Sequence, residues 1–592
     1  MPATSAAIDF ADPRDAQAPR LRHRFGPPQR VLVAHDLAEV VPVLRAVQAA
    51  AQQGHWCVGH VRYEAAPAFD AALQTHPPTG PLAWFGVYPQ ALPWPESPAP
   101  QAGAAVSVDW HTEPQRTGFD AALDTIRQAI ASGDLYQVNH TAPLLGQLEG
   151  SATALFAALQ RAQPGGYALH LDTGAEQVLS VSPELFFDWQ GDSLLTRPMK
   201  GTAPRGATPE QDAAHAAALR ASPKERAENV MIVDLLRNDV SRIAQPHSVA
   251  VPTLFQVQAL PAVWQMTSDV CARTRPGTTL VDVFGALFPC GSVTGAPKVQ
   301  AMRTIRALEP QARGVYCGAV GVVRPDGPAG QGGFRATFNV PIRTVVLRGQ
   351  LASCGIGSGI TADAQPGAEW NEWRHKRAFL ERASMPVDLL ETLALEDGHC
   401  RHQADHFSRM ATAAAHFGHP WPEAQAQAAL QALARQHPRG LWRVRCLLNA
   451  TGEFRAEAFA MQPTPASTDA PVRLQLASEP MPEAHGEFTR HKTTRRAHYD
   501  RFQPTDPTVF DTVLWNEAGE LTECTRGNVA VRLDGVWVTP PLACGLLPGV
   551  GRAVALREGR LSEAVVHTDD LPRVQAWAFL NSLRGWLPAT LA

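Results

Sequence analysis

The stretch Arg197-Pro-Met-Lys-Gly-Thr-Ala-Pro-Arg-Gly206 places Lys200 near the end of a predicted β-hairpin. The first arm of this hairpin is SVSPELFFDW (180–189) and the second is LLTRPMKGT (194–202), with the turn-forming sequence QGDS between them. Strand-forming runs that flank a short Gly/Asp turn are typical of a hairpin. We therefore predict that Glu184, in the first arm, and Lys200, in the second, lie on neighbouring strands.

A helix is predicted to follow this hairpin. Ser222-Pro-Lys-Glu225 has the composition of a helix start, with a Ser cap, Pro at the first position and Glu at the third. The helix places Glu225 and Glu228 on one face, and Glu369 and Glu372 have the same spacing. Like charges so placed repel unless a cation joins them. Alternatively, Glu225 completes a capping box and Glu369 favours the positive end of its helix, whereas Glu228 and Glu372 have no such local explanation.

The bulk composition is that of a globular protein with more than one domain. The chain has 592 residues, of which 45% are hydrophobic and 18% charged, and this length predicts two to four domains. A formal net charge of -4 without a basic block indicates neither a nucleic-acid partner nor a membrane surface. Nine cysteines without a CxxC pair, no signal peptide and no run of about 18 apolar residues favour a soluble, cytoplasmic protein with reduced thiols.

Several motifs of the first two thirds of the chain resemble those of one family, the chorismate-utilising enzymes, which include anthranilate, isochorismate and aminodeoxychorismate synthases. The resemblance is strong from Gly133 to about Glu381 and implies a β-sandwich with surrounding helices. The motifs, in the order of the family, are GDLYQVNHT (133–141), SPELFF (182–187), RPMKGTAPRG (197–206), ERAENVMIVDLLRND (225–239), FPCGSVTGAPKVQAM (288–302), CGIGSGI (354–360) and AEWNEW (368–373).

The resemblance implies roles for the hairpin residues in replacing the C4 hydroxyl of chorismate by an amino group. Glu184 is then the acid that protonates the departing oxygen, and Lys200 is the nucleophile that adds to C2. Ammonia attacks C4 and expels the lysine. The residues implied to bind the substrate are Tyr316 and Arg343 at the pyruvyl side chain, with Thr202, Gly357 and Gly359.

The family also holds a Mg²⁺ ion that anchors the ring carboxylate of chorismate, and oxygen-only ligands suit this ion. The resemblance implies that its ligands are the four paired glutamates, Glu225, Glu228, Glu369 and Glu372.

Three positions favour amination at C4 over the sister reactions. Lys200 stands where most family members have a small residue, and aminodeoxychorismate synthases characteristically have lysine there. Gln137 replaces the lysine with which isochorismate synthases activate water. Asp282 aligns with a histidine of anthranilate synthases. The ammonia is expected from a separate glutaminase subunit, because no cysteine of the chain lies in a Gly-x-Cys-x-Gly elbow.

From Leu389 onward the chain resembles the fold type IV pyridoxal phosphate enzymes and, among them, the aminodeoxychorismate lyases. This resemblance implies a branched-chain-aminotransferase-like α/β domain and a possible homodimer through it. The motifs that carry it are LLETLALEDG (389–398), His406-Phe-Ser-Arg409, His491-Lys492-Thr493, Leu521-Thr-Glu-Cys-Thr-Arg-Gly-Asn528, Leu546-Leu-Pro-Gly-Val-Gly-Arg552 and Asn581-Ser-Leu-Arg-Gly585.

Pyridoxal phosphate needs a lysine that binds it covalently, an acid at its pyridine nitrogen and donors for its phosphate. The resemblance assigns these roles to Lys492, to Glu523, and to Arg409 with the backbone of Val550 and Gly551. Lys492 is also the base that removes the C4 proton before pyruvate leaves. Two further positions are Thr392, placed near the leaving group, and Ala497, where aminotransferases of this fold have a tyrosine.

The predicted organisation is a loose tail (1–20), a first domain (21–383), a linker (384–388) and a second domain (389–592), in the α+β class. The predicted function is synthesis of 4-aminobenzoate for folate: amination of chorismate, then pyridoxal-phosphate-dependent elimination of pyruvate. Two alternatives stay open. One is an anthranilate synthase component joined to an aminotransferase-like domain, and the other is a synthase with a catalytically inactive second domain that serves for docking.

Overall fold

Short apolar runs separated by turn residues form most of the first of two compact units, which span Met1–Pro386 and Val387–Ala592. The computed structural model describes residues 4–94, 106–112, 114–206, 209–259, 263–327, 332–384, 387–461 and 470–592.

The first unit contains strands β1 to β20 and helices α1 to α8. The strands are β1 (Ser5–Phe10), β2 (Leu21–Phe25), β3 (Arg30–Ala34), β4 (Trp56–Val61), β5 (Ala83–Tyr88), β6 (Leu92–Pro93), β7 (Ser107–Thr112), β8 (Gln137–Glu149), β9 (Tyr167–Asp172), β10 (Gln177–Ser182), β11 (Leu185–Gln190), β12 (Ser193–Arg197), β13 (Met199–Pro204), β14 (Ala250–Ala259), β15 (Val263–Arg273), β16 (Gly295–Ala296), β17 (Ala319–Pro325), β18 (Phe334–Asn339), β19 (Thr344–Arg348) and β20 (Leu351–Ile360). The helices are α1 (Leu37–Gln52), α2 (Arg116–Ala131), α3 (Ala152–Ala162), α4 (Pro209–Ala221), α5 (Pro223–Ser241), α6 (Leu280–Leu287), α7 (Lys298–Leu308) and α8 (Pro366–Ser384).

Two antiparallel sheets form the centre of this unit. One has the order β16-β8-β20-β19-β10-β9-β1-β2-β6, with β7 beside β8, and the other has the order β13-β15-β12-β11-β18-β17-β4-β5-β3, with β14 beside β15. Apolar residues of both sheets, among them Ile8, Val58, Leu169 and Val320, pack against one another between them. Helices α2, α3 and α8 cover the outer face of the first sheet, and α1, α5 and α6 cover that of the second. This β-sandwich between helical layers is the predicted fold.

The hairpin around Lys200 has a break that the sequence does not indicate. Strand β11 pairs with β12 from Gln190↔Ser193 to Leu185↔Arg197. Strand β12 then ends, and the chain continues as β13, which pairs with the far half of β15. Lys200 lies on β13, and Glu184 lies just before β11, so the two side chains meet at the open end of the hairpin.

The N-terminal segment is part of the sandwich, so the prediction of a loose tail over 1–20 is wrong. Strand β1 pairs with both β2 and β9, and Ile8 and Phe10 are buried. Beyond the strand, Arg14 Nε donates to Asp188 Oδ2 at 2.6 Å. An Ala- and Pro-rich composition hid the apolar alternation that buries one face of this strand.

The second unit contains strands β21 to β32 and helices α9 to α13. The strands are β21 (Leu389–Glu396), β22 (His399–Cys400), β23 (Leu441–Leu448), β24 (Phe454–Ala460), β25 (Val472–Leu476), β26 (Asp511–Trp515), β27 (Leu521–Cys524), β28 (Asn528–Leu533), β29 (Val536–Thr539), β30 (Ser562–Glu563), β31 (Ala576–Asn581) and β32 (Gly585–Leu591). The helices are α9 (Gln403–Phe417), α10 (Glu423–Gln436), α11 (Glu487–Arg490), α12 (Ala497–Asp500) and α13 (Val550–Arg557).

Two sheets also organise the second unit. The smaller has the order β22-β21-β23-β24 and packs on α9 and α10. The larger has the order β27-β26-β25-β32-β31-β28-β29-β30, and β25 is parallel to both of its neighbours. Of the predicted linker 384–388, Ser384 ends α8 and residues 385 and 386 lie outside the described residues. Within the described ranges, every helix is too short or too polar to cross a membrane.

The burial of β1 can be tested by replacing Ile8, which is 0% exposed, with alanine. We expect the free energy of unfolding to fall by about 2–5 kcal/mol, because buried aliphatic atoms are lost and a cavity remains. Urea unfolding measures this change. The control is Leu351→Ala, whose side chain is 62% exposed, and which should change the value by less than about 0.5 kcal/mol. An Ile8→Ala protein as stable as the wild type would mean that the segment is a tail after all.

Candidate active sites

Glu184 and Lys200 form the centre of the site in the first unit. Glu184 is buried, and its Oε1 has no hydrogen-bond partner in the described part of the chain. Burial raises the pKa of Glu184 to about 7, although hydrogen bonds from Ser292 and Met199 and the charge of Lys200 favour its carboxylate. A carboxyl group with this pKa can donate a proton near neutral pH.

Ser292 is a residue of this site that the sequence did not identify. It lies in a 3₁₀ turn, Gly291–Val293, within the motif FPCGSVTGAPK. Its buried hydroxyl contacts Glu184 and lies 3.2 Å from Cys290 Sγ. No local pattern distinguishes this serine from one that caps a turn, because its partner is more than 100 residues away.

Three glycines on one face of β20 make room for the site. Gly355, Gly357 and Gly359 alternate along the strand, so their missing side chains would all lie on the same side. A Cβ atom on Gly359 would lie 2.6 Å from Lys200 Nζ and 2.5 Å from Gln137 Nε2. The same atom on Gly355 would lie 2.3 Å from the Tyr316 ring. The glycines therefore allow Lys200, Gln137 and Tyr316 to approach the strand.

The four predicted metal ligands come from the first turns of two helices. Glu225 and Glu228 lie on α5, where the Ser222 hydroxyl accepts a hydrogen bond from the backbone of Glu225. Glu369 and Glu372 lie on α8, and Ser358 donates to Glu369 at 2.8 Å.

The charges of these glutamates are not balanced. Burial raises the pKa of Glu225, Glu228 and Glu369, and neighbouring carboxylates add to this effect. Burial would also raise the pKa of Glu372, but Lys376, 2.6 Å away, holds it below its usual value. Lys224 lies 3.9 Å from both Glu228 and Glu369.

Carboxylate oxygens with excess negative charge fit a hard divalent cation such as Mg²⁺. The side chains are not yet arranged as ligands, since no three His, Cys, Asp or Glu residues in the described ranges converge on one point. Magnesium binding by these four glutamates therefore stays a prediction, and a metal would need them to change rotamer.

The predicted substrate-binding residues have different surroundings. Arg343 is half-buried, donates to Gln163, and has its pKa lowered to about 10 by burial and by Arg382. In the described part of the chain the Arg343 guanidinium forms no ion pair with an acidic side chain, and its charge suits a carboxylate. The hydroxyl of Thr202 donates to Gln265 at 3.1 Å, and Gln265 in turn donates to the Gly201 carbonyl at 2.8 Å.

Asp282 has a structural role instead of the expected one. Its carboxylate accepts hydrogen bonds from the backbone and hydroxyl of Thr279 and completes the capping box of α6. The use of Asp282 to separate the sister activities thus has no support in the geometry. Gln265 is buried and donates to the carbonyl of Gly201, the residue that follows Lys200. The sequence did not identify Gln265.

In the second unit, Lys492 lies where β21 meets the segment after α11. Its carbonyl accepts from Leu390, which fixes the backbone of the lysine against the smaller sheet. Burial lowers the pKa of Lys492 to about 8, and the charges of Arg409 and Arg496 contribute. An amine with this pKa is partly neutral near physiological pH, as a base or nucleophile requires.

Glu523 lies close enough to Lys492 for each to affect the pKa of the other. Burial raises the pKa of Glu523 to about 8, against hydrogen bonds from the Tyr499 hydroxyl and the Leu547 backbone. The Tyr499 bond is 2.6 Å long. The sequence did not identify Tyr499, which is not at the aminotransferase tyrosine position; that position is Ala497.

Arg409 is held in place by a buried carboxylate. Its Nε and Nη2 donate to Glu391 at 2.7 and 2.6 Å, and its Nη1 donates to the Pro548 carbonyl at 3.0 Å. Burial would favour the neutral form of Glu391, but Arg409 and His406 lower its pKa to about 2. A guanidinium has five N–H groups, so Arg409 keeps donors for an anion beside Pro548.

The start of α13 follows Pro548 directly. A Cβ atom on Gly549 would lie 1.8 Å from Asn528 Oδ1, and one on Gly551 would lie 2.7 Å from the Asn581 carbonyl carbon. The glycines thus let the backbone at Val550 and Gly551 pack closely at a helix N-terminus, the position that favours a phosphate. A buried acid, a lysine of lowered pKa and this phosphate cradle fit pyridoxal phosphate. Thr392 lies on the face of β21 opposite to Glu391.

Comparison with known proteins assigns a family profile to each of the two units. The sequence profile of chorismate binding enzymes matches residues 19–382, and that of class IV amino-transferases matches residues 388–592. The chain therefore belongs to the chorismate binding enzyme family, and it carries a class IV amino-transferase domain in addition.

Named relatives match the first unit. Aminodeoxychorismate synthase component 1 of Klebsiella aerogenes is 40% identical over 289 residues, 48% of this chain and 62% of that protein. Anthranilate synthase component 1 of Streptomyces coelicolor is 37% identical over 297 residues, 48% of this chain and 57% of that protein. The chain thus spans less than two thirds of the length of these relatives.

Solved structures share the fold. Anthranilate synthase component I of Streptococcus pneumoniae has 24% identity and a TM-score of 0.50, over 64% of this chain and 93% of that one. The menaquinone-specific isochorismate synthase of Escherichia coli has 19% identity and a TM-score of 0.50, over 64% and 89% of the two chains.

The raised pKa of Glu184 makes a prediction about stability. Between its usual value of 4.5 and about 7, the folded state keeps a proton that the unfolded chain has released, so stability falls as the pH rises through this window. Glu184→Gln removes the titration. Relative to wild type, the variant should gain roughly 2–3 kcal/mol between pH 5 and pH 8, at about 1.4 kcal/mol per pKa unit.

Urea unfolding at the two pH values measures this gain. The control is Glu176→Gln, because Glu176 is a buried partner of Arg62 whose pKa is lowered by that arginine despite burial. This variant should be destabilised about equally at both pH values. An equal effect of Glu184→Gln at pH 5 and pH 8 would contradict the raised pKa.

Proposed function

We propose that this protein makes 4-aminobenzoate from chorismate in two steps, amination at C4 in the first unit and elimination of pyruvate in the second. The first step is supported by the position of Lys200. This lysine lies beside the buried, protonatable Glu184 and next to the glycines of β20. The relatives alone do not select this reaction, because the identities to the named aminodeoxychorismate synthase and anthranilate synthase are similar, 40% and 37%. The choice therefore rests on Lys200.

In the proposed first step, the Lys200 amine adds to C2 of chorismate. The C1=C2 and C5=C6 double bonds shift to C1=C6 and C4=C5, the C4–O bond breaks, and Glu184 gives its proton to the departing hydroxyl, which leaves as water. Ammonia then bonds to C4, both double bonds return to their first positions, and the C2–N bond to Lys200 breaks. In the proposal, Arg343 and Tyr316 hold the pyruvyl side chain. Ammonia is supplied by a separate glutaminase subunit, as the component 1 names of relatives suggest.

The proposed amination step also requires Mg²⁺. Glu225, Glu228, Glu369 and Glu372 would hold it, and when bound it neutralises the ring carboxylate of chorismate next to an acidic cluster. Without a cation, that carboxylate would meet four like-charged groups.

The second step uses the groups around Lys492. When bound, pyridoxal phosphate supplies an electron sink for the substrate carbon that carries the amino group. Glu523, held by Tyr499, would be the acid for the pyridine nitrogen, and Arg409 and the start of α13 would hold the phosphate. Lys492 removes the C4 proton, pyruvate leaves from C3, and the ring becomes aromatic. A homodimer through this unit and a cytoplasmic location stay predictions.

Product analysis with matched variants tests both steps. Purified protein with chorismate, Mg²⁺, ammonium and pyridoxal phosphate should release 4-aminobenzoate and pyruvate. Lys200→Ala should release neither from chorismate, yet should still convert added 4-amino-4-deoxychorismate. Lys492→Ala should accumulate 4-amino-4-deoxychorismate, because its first unit is intact. Each variant is thus the folding control for the other.

Other products would select the alternatives. Anthranilate from the wild type would make the chain an anthranilate synthase component and remove Lys200 as the determinant of the position of amination. Accumulation of 4-amino-4-deoxychorismate by the wild type, with no visible absorbance of bound pyridoxal phosphate, would favour a docking role for the second unit.

The magnesium site predicts a dependence on both sequence and pH. Glu228→Gln should raise the Mg²⁺ concentration needed for half-maximal amination at least about tenfold, because one charged ligand is lost. Protons compete with the metal for carboxylates of raised pKa, so the requirement should also rise as the pH is lowered. The control is Glu381→Gln, several turns along α8, where Glu381 pairs with Arg377. Equal Mg²⁺ curves for both variants would remove Glu228 from the site.

A further inference from the structure

The turn between β31 and β32 brings Arg584 close to Arg526, which lies in the turn between β27 and β28. The first of these turns is the motif Asn581-Ser-Leu-Arg-Gly585, for which the resemblance supplied no role. The side-chain amide of Asn581 donates to the Arg526 carbonyl at 3.2 Å, and its oxygen accepts from the Arg584 backbone at 2.8 Å. One side chain thus fixes the backbone of both arginines.

Both guanidinium groups lie over the same aromatic ring. The central carbon of Arg526 is 5.2 Å from the centre of the Phe510 ring, and that of Arg584 is 6.0 Å from it. Phe510 is itself supported by Phe579, whose ring lies 5.1 Å away. The two arginine side chains are exposed, so a ligand in solution can reach them.

The charges of neighbouring arginines act on one another at this place. Partial burial lowers the pKa of Arg584, and the charges of Arg526 and Arg443 contribute to the shift. Asp511 lies 3.4 Å from Arg526, but its carboxylate also accepts from Thr525. An anion between the arginines would relieve their repulsion, and arginine binds carboxylates through paired hydrogen bonds.

The arginine pair borders the site around Lys492. The turn passes so close to α13 that a Cβ atom on Gly551 would lie 2.9 Å from the Ser582 nitrogen. On the other side, the Thr525 carbonyl, next to Arg526, accepts from Arg496, whose charge lowers the pKa of Lys492. The arginines are therefore neighbours of both the phosphate cradle and the lysine.

We infer that Arg526 and Arg584 bind the ring carboxylate of the substrate of the second unit, and so select a ring amine that has this carboxylate over one that lacks it. This inference rests on the proposed function of that unit. The ring carboxylate is para to the amino group that must reach Lys492, so it projects away from the lysine towards the rim. Two exposed arginines at the rim match this position.

The test measures the elimination step alone, in a Lys200→Ala background, with added 4-amino-4-deoxychorismate and pyridoxal phosphate. Arg584→Gln and Arg526→Gln should each raise KM by about tenfold to a hundredfold, the effect of one charge-assisted contact, and should leave kcat within about threefold. Arg573→Gln, which removes an exposed arginine paired with Asp534 and Asp570, should leave KM unchanged.

A second measurement separates binding from a structural role. Inhibition by 4-hydroxybenzoate should exceed inhibition by its uncharged amide in the parent protein, and Arg584→Gln should remove this difference. Unchanged KM and unchanged discrimination would overturn the inference. A loss of kcat and thermal stability without a change in discrimination would also overturn it, because the turn would then be only structural.

The same contact can be measured without turnover, which distinguishes the inference from the proposed function. Binding of 4-hydroxybenzoate is followed by the visible absorbance of bound pyridoxal phosphate. Binding that weakens in Arg584→Gln, in a parent that eliminates no pyruvate, would refute the proposed reaction and support the carboxylate site. Binding that is equal in both proteins would overturn the carboxylate site whatever the reaction.

Discussion

The close packing of β20 against β8 and β13 is the constraint on which the first site depends. A side chain at Gly359 would occupy the position of Lys200 and Gln137, and one at Gly355 would occupy the position of Tyr316. Any larger residue must displace a functional group or separate the strands, and the second outcome would open the sandwich core. The fold and the site therefore share one requirement, glycine at positions 355, 357 and 359 of β20.

Burial shifts the pKa of an acid in each unit and of a lysine in the second. In the first, it raises the pKa of Glu184 to about 7, which keeps a proton available for a leaving oxygen. In the second, it lowers the pKa of Lys492 and raises that of Glu523, both to about 8. The charged neighbours of the two lysines also differ. Arg409 and Arg496 lie near Lys492, whereas carboxylates, Glu184 and Glu228 among them, lie near Lys200.

Local sequence patterns predicted the parts of both sites that depend on neighbours in the chain. The hairpin arms, the Ser222 cap of α5 and the pairing of glutamates on α5 and α8 follow from spacing alone. The resemblance supplied the motif order, from which the domains and the cofactor-binding residues were inferred. Ser292, Gln265, Tyr499 and Glu391 were not predicted, because each acts on a residue that only tertiary packing brings near. Strand β1 was missed for a related reason, since its partner β9 lies about 160 residues away.

In the proposed function both units bind a ring with two carboxylates, and the charged side chains around the two sites differ in sign. Around Lys200 the side chains are mainly acidic, so a dianion can enter only if a cation reverses the local charge, and the glutamates of α5 and α8 are placed to hold one. Around Lys492 the positive charge is built into the chain, because Arg409 and Arg496 both lie near the lysine while Arg409 is paired with Glu391 and Glu523 has a raised pKa. A ligand that gains an amino group and keeps both carboxylates would thus lose its need for a metal between the two steps. The second unit can accordingly recognise it with arginine alone.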